Sequence, residues 1–82
     1  MWTGDDMKYE ELENIFNNSN EVRFTLLGLE YVIRKSYTGV EVFAKLYQST
    51  KKVYSSFNEA MNSFTVFNES LIDNIDRIIV LS

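Results

Sequence analysis

Apolar positions near the start of the chain recur at helical spacing. Leu12, Ile15 and Phe16 follow i, i+3, i+4, and Tyr9 extends the stripe by three residues, which predicts a short helix over 8–17. Asp5 or Asp6 can cap its start, and Glu10 and Glu11 suit the positive end of the helix dipole. The run Asn17-Asn18-Ser19-Asn20 stops the helix, because these side chains compete for backbone hydrogen bonds.

The period then changes to two. Over 21–27, Val22, Phe24 and Leu26 alternate with Arg23 and Thr25, which predicts a strand. Leu27-Gly28 marks a hairpin turn, with Gly28 supplying a positive φ. Leu29, Tyr31 and Ile33 alternate with Glu30 and Arg34 in a return strand over 29–36, and Thr38-Gly39 marks a second turn. A third strand is expected over 40–48, with Val40, Val42, Ala44 and Leu46 on one face and Glu41, Phe43, Lys45 and Tyr47 on the other. Ser49-Thr50-Lys51 is then read as a turn before a short fourth strand over 52–55.

Ser56-Phe57-Asn58-Glu59 has the S-x-x-E form of a capping box, so a helix should run to about Ser63 with Phe57, Ala60, Met61 and Phe64 on one face. Residues 64–67 form an apolar connector. Ser70 with Asp73 opens a last helix carrying Leu71, Ile75, Ile78 and Ile79 at i, i+4, i+7, i+8. The apolar run Ile79-Val80-Leu81 equally suits a short edge strand. The order α-ββββ-αα, with that optional last strand, predicts an α+β domain: a three- or four-stranded antiparallel meander packed against helices. Met7 opens this single domain, 7–82, and residues 1–6 are expected to be a poorly ordered leader.

Several segments together resemble a group of small uncharacterised proteins of low-GC Gram-positive bacteria and their phages. They are Glu10-Glu11-Leu12, Val22-Arg23-Phe24-Thr25, Gly28-Leu29-Glu30-Tyr31-Val32-Ile33, Ser56-Phe57-Asn58-Glu59-Ala60-Met61, Phe64-Thr65-Val66 and Ser70-Leu71-Ile72. The resemblance spans about residues 8–81. Where members of the group often carry an Asp-Gly pair, this chain has Asn68-Glu69. The likeness implies a phage or mobile-element setting and carries over no active-site residues.

Composition removes many chemistries. The 82 residues include no Cys, no His, no Pro and three Gly. Zinc sites of the usual ligand type, haem or iron–sulfur ligation by Cys or His, disulfides and thiol nucleophiles are therefore excluded. The commonest general acid–base side chain is missing. Apolar residues are 45% and aromatics 15%, enough for a core without staples. No apolar run reaches the roughly 18 residues of a membrane helix, and the acidic start does not read as a signal peptide. A cytoplasmic protein with no membrane association is expected, and a cysteine-free chain accords with a reducing compartment.

The remaining candidates for catalysis are thin. Asp73 with Asp76, and Glu10 with Glu13, are carboxylate pairs on exposed helix faces with no cleft between them. Asn68, Asp73 and Asp76 lack the glycine of a calcium loop. Ser55 and Ser56 have no His to activate them, and Lys51 and Lys52 sit where burial is not expected. Gly4, Gly28 and Gly39 match no phosphate-loop spacing. The expectation is no enzyme, no catalytic residue, no cofactor and no metal.

Charge is more informative. The formal net charge is -4, but residues 21–55 hold six cations against three acids, net +3, and the remainder two against nine, net -7. Alternation puts Arg23, Thr25, Arg34, Phe43, Lys45 and Tyr47 on the sheet face away from the helices, with Val32 and Tyr54 as further members. Arg23, Arg34, Phe43, Lys45, Tyr47 and Tyr54 are thus the candidate interaction face. Such a face suits a protein partner or a homodimer, for which Tyr, Phe and Arg are favoured anchors. It also resembles the basic, aromatic surfaces that hold single-stranded nucleic acid, although overall acidity weakens that alternative. Plain solvation and cross-strand packing would produce the same pattern. The acidic helices offer a separate surface, Glu10, Glu11, Glu13, Asp73 and Asp76, for a basic groove on a partner. The expected function is a non-enzymatic protein-interaction module.

Overall fold

A computed structural model describes residues 4–81, and the side chains of 7–81. It shows the expected α+β class. Helix α1 (Gly4–Ser19) leads into strands β1 (Glu21–Leu26), β2 (Leu29–Ser36), β3 (Gly39–Ala44) and β4 (Tyr47–Tyr54), followed by helix α2 (Phe57–Ser63). Short strands β5 (Thr65–Val66) and β6 (Glu69–Ser70), a 3-10 turn (Ile75–Arg77) and strand β7 (Ile79–Val80) complete it. The main sheet is antiparallel, in the order β4-β3-β2-β1-β7.

α1 is longer than its apolar stripe. It begins at Gly4, inside the stretch expected to be a leader, while residues 1–3 lie outside the described residues. The side chains of Asp5 and Asp6, the expected caps, also lie outside them. Asn20 ends the helix in the left-handed region at φ 62°, which its short polar side chain tolerates.

The core lies between the sheet and the helices. Leu12 and Phe16 of α1 meet Val22, Phe24 and Leu26 of β1, Tyr31 and Ile33 of β2, and Val40, Val42 and Ala44 of β3. Phe57, Ala60 and Met61 of α2 join them, as do Phe64, Leu71, Ile75 and Ile78. The α2 cap forms as its sequence predicts: the Ser56 hydroxyl accepts the Glu59 N–H at 3.0 Å.

The structure departs from the local pattern at the third strand, the turn after it, the apolar connector and the last helix. The third strand does not reach residue 48. It ends at Ala44, and Lys45-Leu46 forms the turn, leaving Leu46 78% exposed rather than in the core. The expected turn at Ser49-Thr50-Lys51 lies within β4 instead. Neither Lys45 nor Leu46 is a turn-former; side-chain bonds hold the turn. The Thr50 hydroxyl accepts the Ala44 N–H at 2.9 Å and donates to the Tyr47 carbonyl at 2.6 Å, and Gln48 donates to the Lys45 carbonyl. The β3–β4 register shifts between Val42 and Ala44, so the polar stretch of β4 bulges.

The apolar connector is a hairpin. Thr65 pairs with Ser70 and Val66 with Glu69, around Phe67 and Asn68 at φ 54° and 67°. Both φ values are positive, as a type I′ turn requires. The last helix is also replaced. Ser70 caps Asp73 as expected, but the bonds from Ile75 to Ile72, Arg77 to Asn74 and Ile78 to Ile75 are i to i−3, and the turn stops at Arg77. Ile72, Ile75, Ile78, Ile79 and Val80 are all β-branched and disfavour a helix. Residues 79–80 instead pair with Thr25 and Phe24, the edge-strand alternative, and Ile79 is exposed.

Candidate binding site

The outer sheet face is built by register. Arg23 lies opposite Val32, and Val32 opposite Phe43; Glu21, Arg34, Glu41 and Val53 form the neighbouring row. Arg23, Arg34, Phe43 and Lys45 of the candidate face do belong here. The face is not an open aromatic surface, however. Phe43 is only 3% exposed and Val32 5%. The Arg34 guanidinium sits 5.0 Å from the Phe43 ring centroid and the Lys51 ammonium 5.4 Å. Their stems cover the ring and their charges are paired: Arg34 with Glu41 at 2.9 Å, Lys51 with Glu41 at 3.8 Å, and Lys45 and Arg23 with Glu30 at 3.5 and 3.9 Å. Val32 and Phe43 form a small second core roofed by ion pairs.

Tyr47 and Tyr54 do not lie on that face. Tyr54 pairs with Val40 and Tyr47 with Ala44, both inward-facing residues, so the two tyrosines share the helix side of the sheet. The two-residue turn at Lys45-Leu46 and the bulge after it reverse the parity that simple alternation assigns.

On the helix side, an open groove of 580 Å³ lies where the helices leave the sheet uncovered. Leu29, Tyr31 and Ala44 contribute from β2 and β3, and Tyr47, Ser49, Thr50, Lys52 and Tyr54 from β4. Ser63, Phe64 and the β5 hairpin residues Thr65, Val66 and Phe67 line it from the other element. Its size falls within the usual range for ligand sites. Tyr31 is stacked on Phe24 at 5.7 Å and meets the Phe64 ring edge-on at 6.1 Å, so this part is rigidly packed. Tyr47 and Phe67 are 54% and 75% exposed. Burial raises the Tyr31 phenol above its ordinary value; burial, with the negative charge of Glu59, does the same to Tyr54. Both therefore remain neutral hydrogen-bonding groups near neutral pH.

Among the described residues the groove's lining includes one charged residue, Lys52, and no carboxylate. It presents aromatic rings, hydroxyls and a cation: tools for holding a ligand. Tyr31, Phe64, Phe67 and Lys52 were outside the sequence-predicted face. A legible signal was Phe67, a large apolar residue beside Asn68, where a turn would expose it.

The acidic residues expected on two helices lie on one helix and on the C-terminal turns that Lys8 of α1 ties to it through the Asp76 and Ile78 carbonyls. Glu10 and Glu11 are exposed on α1, whereas Asp73 and Asp76 lie in the C-terminal turns. Among the described residues no three His, Cys, Asp or Glu side chains gather as a metal site, and no helix is long and apolar enough to cross a membrane. Comparison with protein-family models, curated proteins and solved structures found no match to the chain.

Proposed function

We propose that the chain is a non-enzymatic protein-interaction module whose partner occupies the groove between β4 and the β5–β6 hairpin. The carrying observation is the pair of exposed rings, Tyr47 and Phe67, beside a packed aromatic floor. Anchors of this type in a partly enclosed pocket dominate interface energetics. The outer face, by contrast, spends its cations on Glu30 and Glu41 and covers its aromatic ring. That counts against single-stranded nucleic acid, whose binding needs unpaired cations and open rings. A cytoplasmic phage or mobile-element setting, from the family resemblance and the cysteine-free composition, belongs to the same reading.

Affinity capture from a lysate of the source cells tests it, with wild type and the Tyr47→Ala/Phe67→Ala variant as baits. Both residues are exposed, so the variant should fold. A partner retained by wild type and lost by the variant supports the reading. Equal recovery on both baits, or loss only on an Arg34→Ala/Lys45→Ala bait, would overturn it.

A further inference from the structure

We infer that the groove takes an extended acidic peptide: a segment of another protein that lies along β4, places an apolar side chain among the rings and sets a carboxylate on Lys52. The inference rests on the interaction reading above and names the partner's chemistry.

Three observations converge. First, β4 is an edge strand of the sheet, with β3 alone as neighbour among the described residues. A strand edge beside a side-chain groove is the arrangement used for β-strand addition, in which main-chain bonds hold the peptide and alternate side chains enter pockets. Second, the groove side of β4 carries Tyr47, and the hairpin opposite offers Phe67; both rings are exposed. Third, the electrostatics select a sign. The chain carries -4 overall, yet β4 holds Lys51 and Lys52 and no acid. Lys51 is engaged by Glu41, whereas among the described residues Lys52 has no ion-pair partner and the groove it faces has no carboxylate. A carboxylate is attracted at this spot and repelled by the segments outside 21–55, which hold nine acids against two cations.

The same lysines argue against a second copy as occupant. Two antiparallel β4 strands paired over their full length would set Lys51 opposite Thr50 and Lys52 opposite Ser49, which leaves Lys51 of each copy diagonal to Lys52 of the other on one face, and like charges in that relation destabilise a pair. Nucleic acid is disfavoured because the groove offers one lysine, which neutralises little phosphate charge.

The test is selection of a phage-displayed random dodecapeptide library on the immobilised full chain. Enriched peptides are then labelled and titrated by fluorescence anisotropy. Enrichment of an aromatic or large aliphatic residue next to aspartate or glutamate is expected. Lys52→Glu should weaken those peptides by about tenfold or more, while Lys35→Glu, an exposed lysine away from the groove, leaves affinity unchanged. Bound peptide should slow amide hydrogen exchange in β4. Thermal unfolding of each variant checks that it is folded.

Basic or neutral peptides, indifference to Lys52→Glu, or no enrichment would overturn the inference. If non-acidic peptides bind and are lost on Tyr47→Ala/Phe67→Ala, the acidic chemistry fails and the interaction reading stands. A concentration-dependent mass in sedimentation that disappears in the same variant would replace the peptide by a second copy. Oligo-dT binding, abolished by that variant and steeply salt-dependent, would overturn both readings.

Discussion

Gly39 lies directly against the Tyr54 carbonyl: a Cβ at this position would collide with that oxygen. Its φ of +147° is also one that side-chain-bearing residues rarely adopt. The glycine is therefore required by two independent constraints, a backbone angle and a strand-to-strand approach. Gly39→Ala should cost about 2 kcal/mol or more. Urea denaturation measures it as a lower midpoint with little change in slope.

Leu27 invites the opposite change. With Gly28 it forms the β1–β2 turn, at φ 52° and 87°, and its side chain is exposed. A leucine in the left-handed region is strained by roughly 1–2 kcal/mol, and Asn-Gly is the favoured pair for this turn. Leu27→Asn should raise stability by about 1 kcal/mol, seen calorimetrically as a melting temperature higher by roughly 4–8 °C. An unchanged or lower melting temperature would contradict the strain.

Phe43 should behave as a core residue although it lies on the outer face. Phe43→Ala is expected to cost about 3 kcal/mol, because a buried ring and its contact with Val32 are lost. Arg34→Ala should cost about 1 kcal/mol, since its half-exposed guanidinium contributes one ion pair and one ring contact. A double-mutant cycle in urea should show a coupling of about 0.5–1 kcal/mol between the two. A Phe43→Ala cost as small as that of Arg34→Ala would mean the ring is not covered.

Much of this architecture was legible because two hairpins and one helix are locally encoded. Alternation in Val22-Phe24-Leu26, the glycine at 28 and the Ser56 cap all act within a few residues, and each is observed where its local pattern places it. The misread elements depend on distant or side-chain partners. The turn at Lys45-Leu46 is stabilised by Thr50 and by a bond from the Lys45 N–H to the Glu30 carbonyl. Ile79 follows the helical spacing of Leu71, Ile75 and Ile78, yet the open edge of β1 decides for the strand that the run from Ile79 equally suits. The site was half legible for the same reason: one unforeseen turn moved Tyr47 and Tyr54 to the helix side. Pairing with Glu30 and Glu41 then closed the face assigned to binding. Periodicity alone contains no information on which cations find partners.

Asn74 is a further case that pattern reading passes over. It is buried, its amide donates to the Ser70 carbonyl at 3.0 Å and more weakly to those of Glu69 and Val66, and its oxygen accepts from Arg77 at 3.0 Å. Asn74→Ala removes these side-chain bonds, although the Ser70 carbonyl keeps the residue-74 N–H and Arg77 keeps Glu69, and should cost about 1–2 kcal/mol. Loss of protection in amide hydrogen exchange is expected first in the β5–β6 hairpin, beside the groove.

Alkaline pH should destabilise the fold. Tyr31 and Tyr54 are both raised above the ordinary value of 10.0, Tyr31 by burial, Tyr54 by burial and then by Glu59. A raised acid favours its neutral form when folded. The associated stability is fully present below pH 10 and is lost as pH rises through the folded values above it. Urea midpoints should fall across that range, and Tyr54→Phe should flatten the fall. A wild-type midpoint independent of pH above 10 would count against this assignment.

β1 is flanked by β2, its immediate successor in the chain, and by β7, which arrives from residues 79–80. The Lys8 ammonium, bonded to the Ile78 carbonyl at 2.8 Å, fastens α1 to the same late segment. During synthesis the meander can therefore zip up as soon as residue 54 is available, since all its pairings are local. β1 then waits with a bare edge until the chain has been extended by another 25 or so residues and a long loop has closed. An unpaired strand edge is a template for a neighbouring chain, and the two-residue strand β7 is the latch that covers this one.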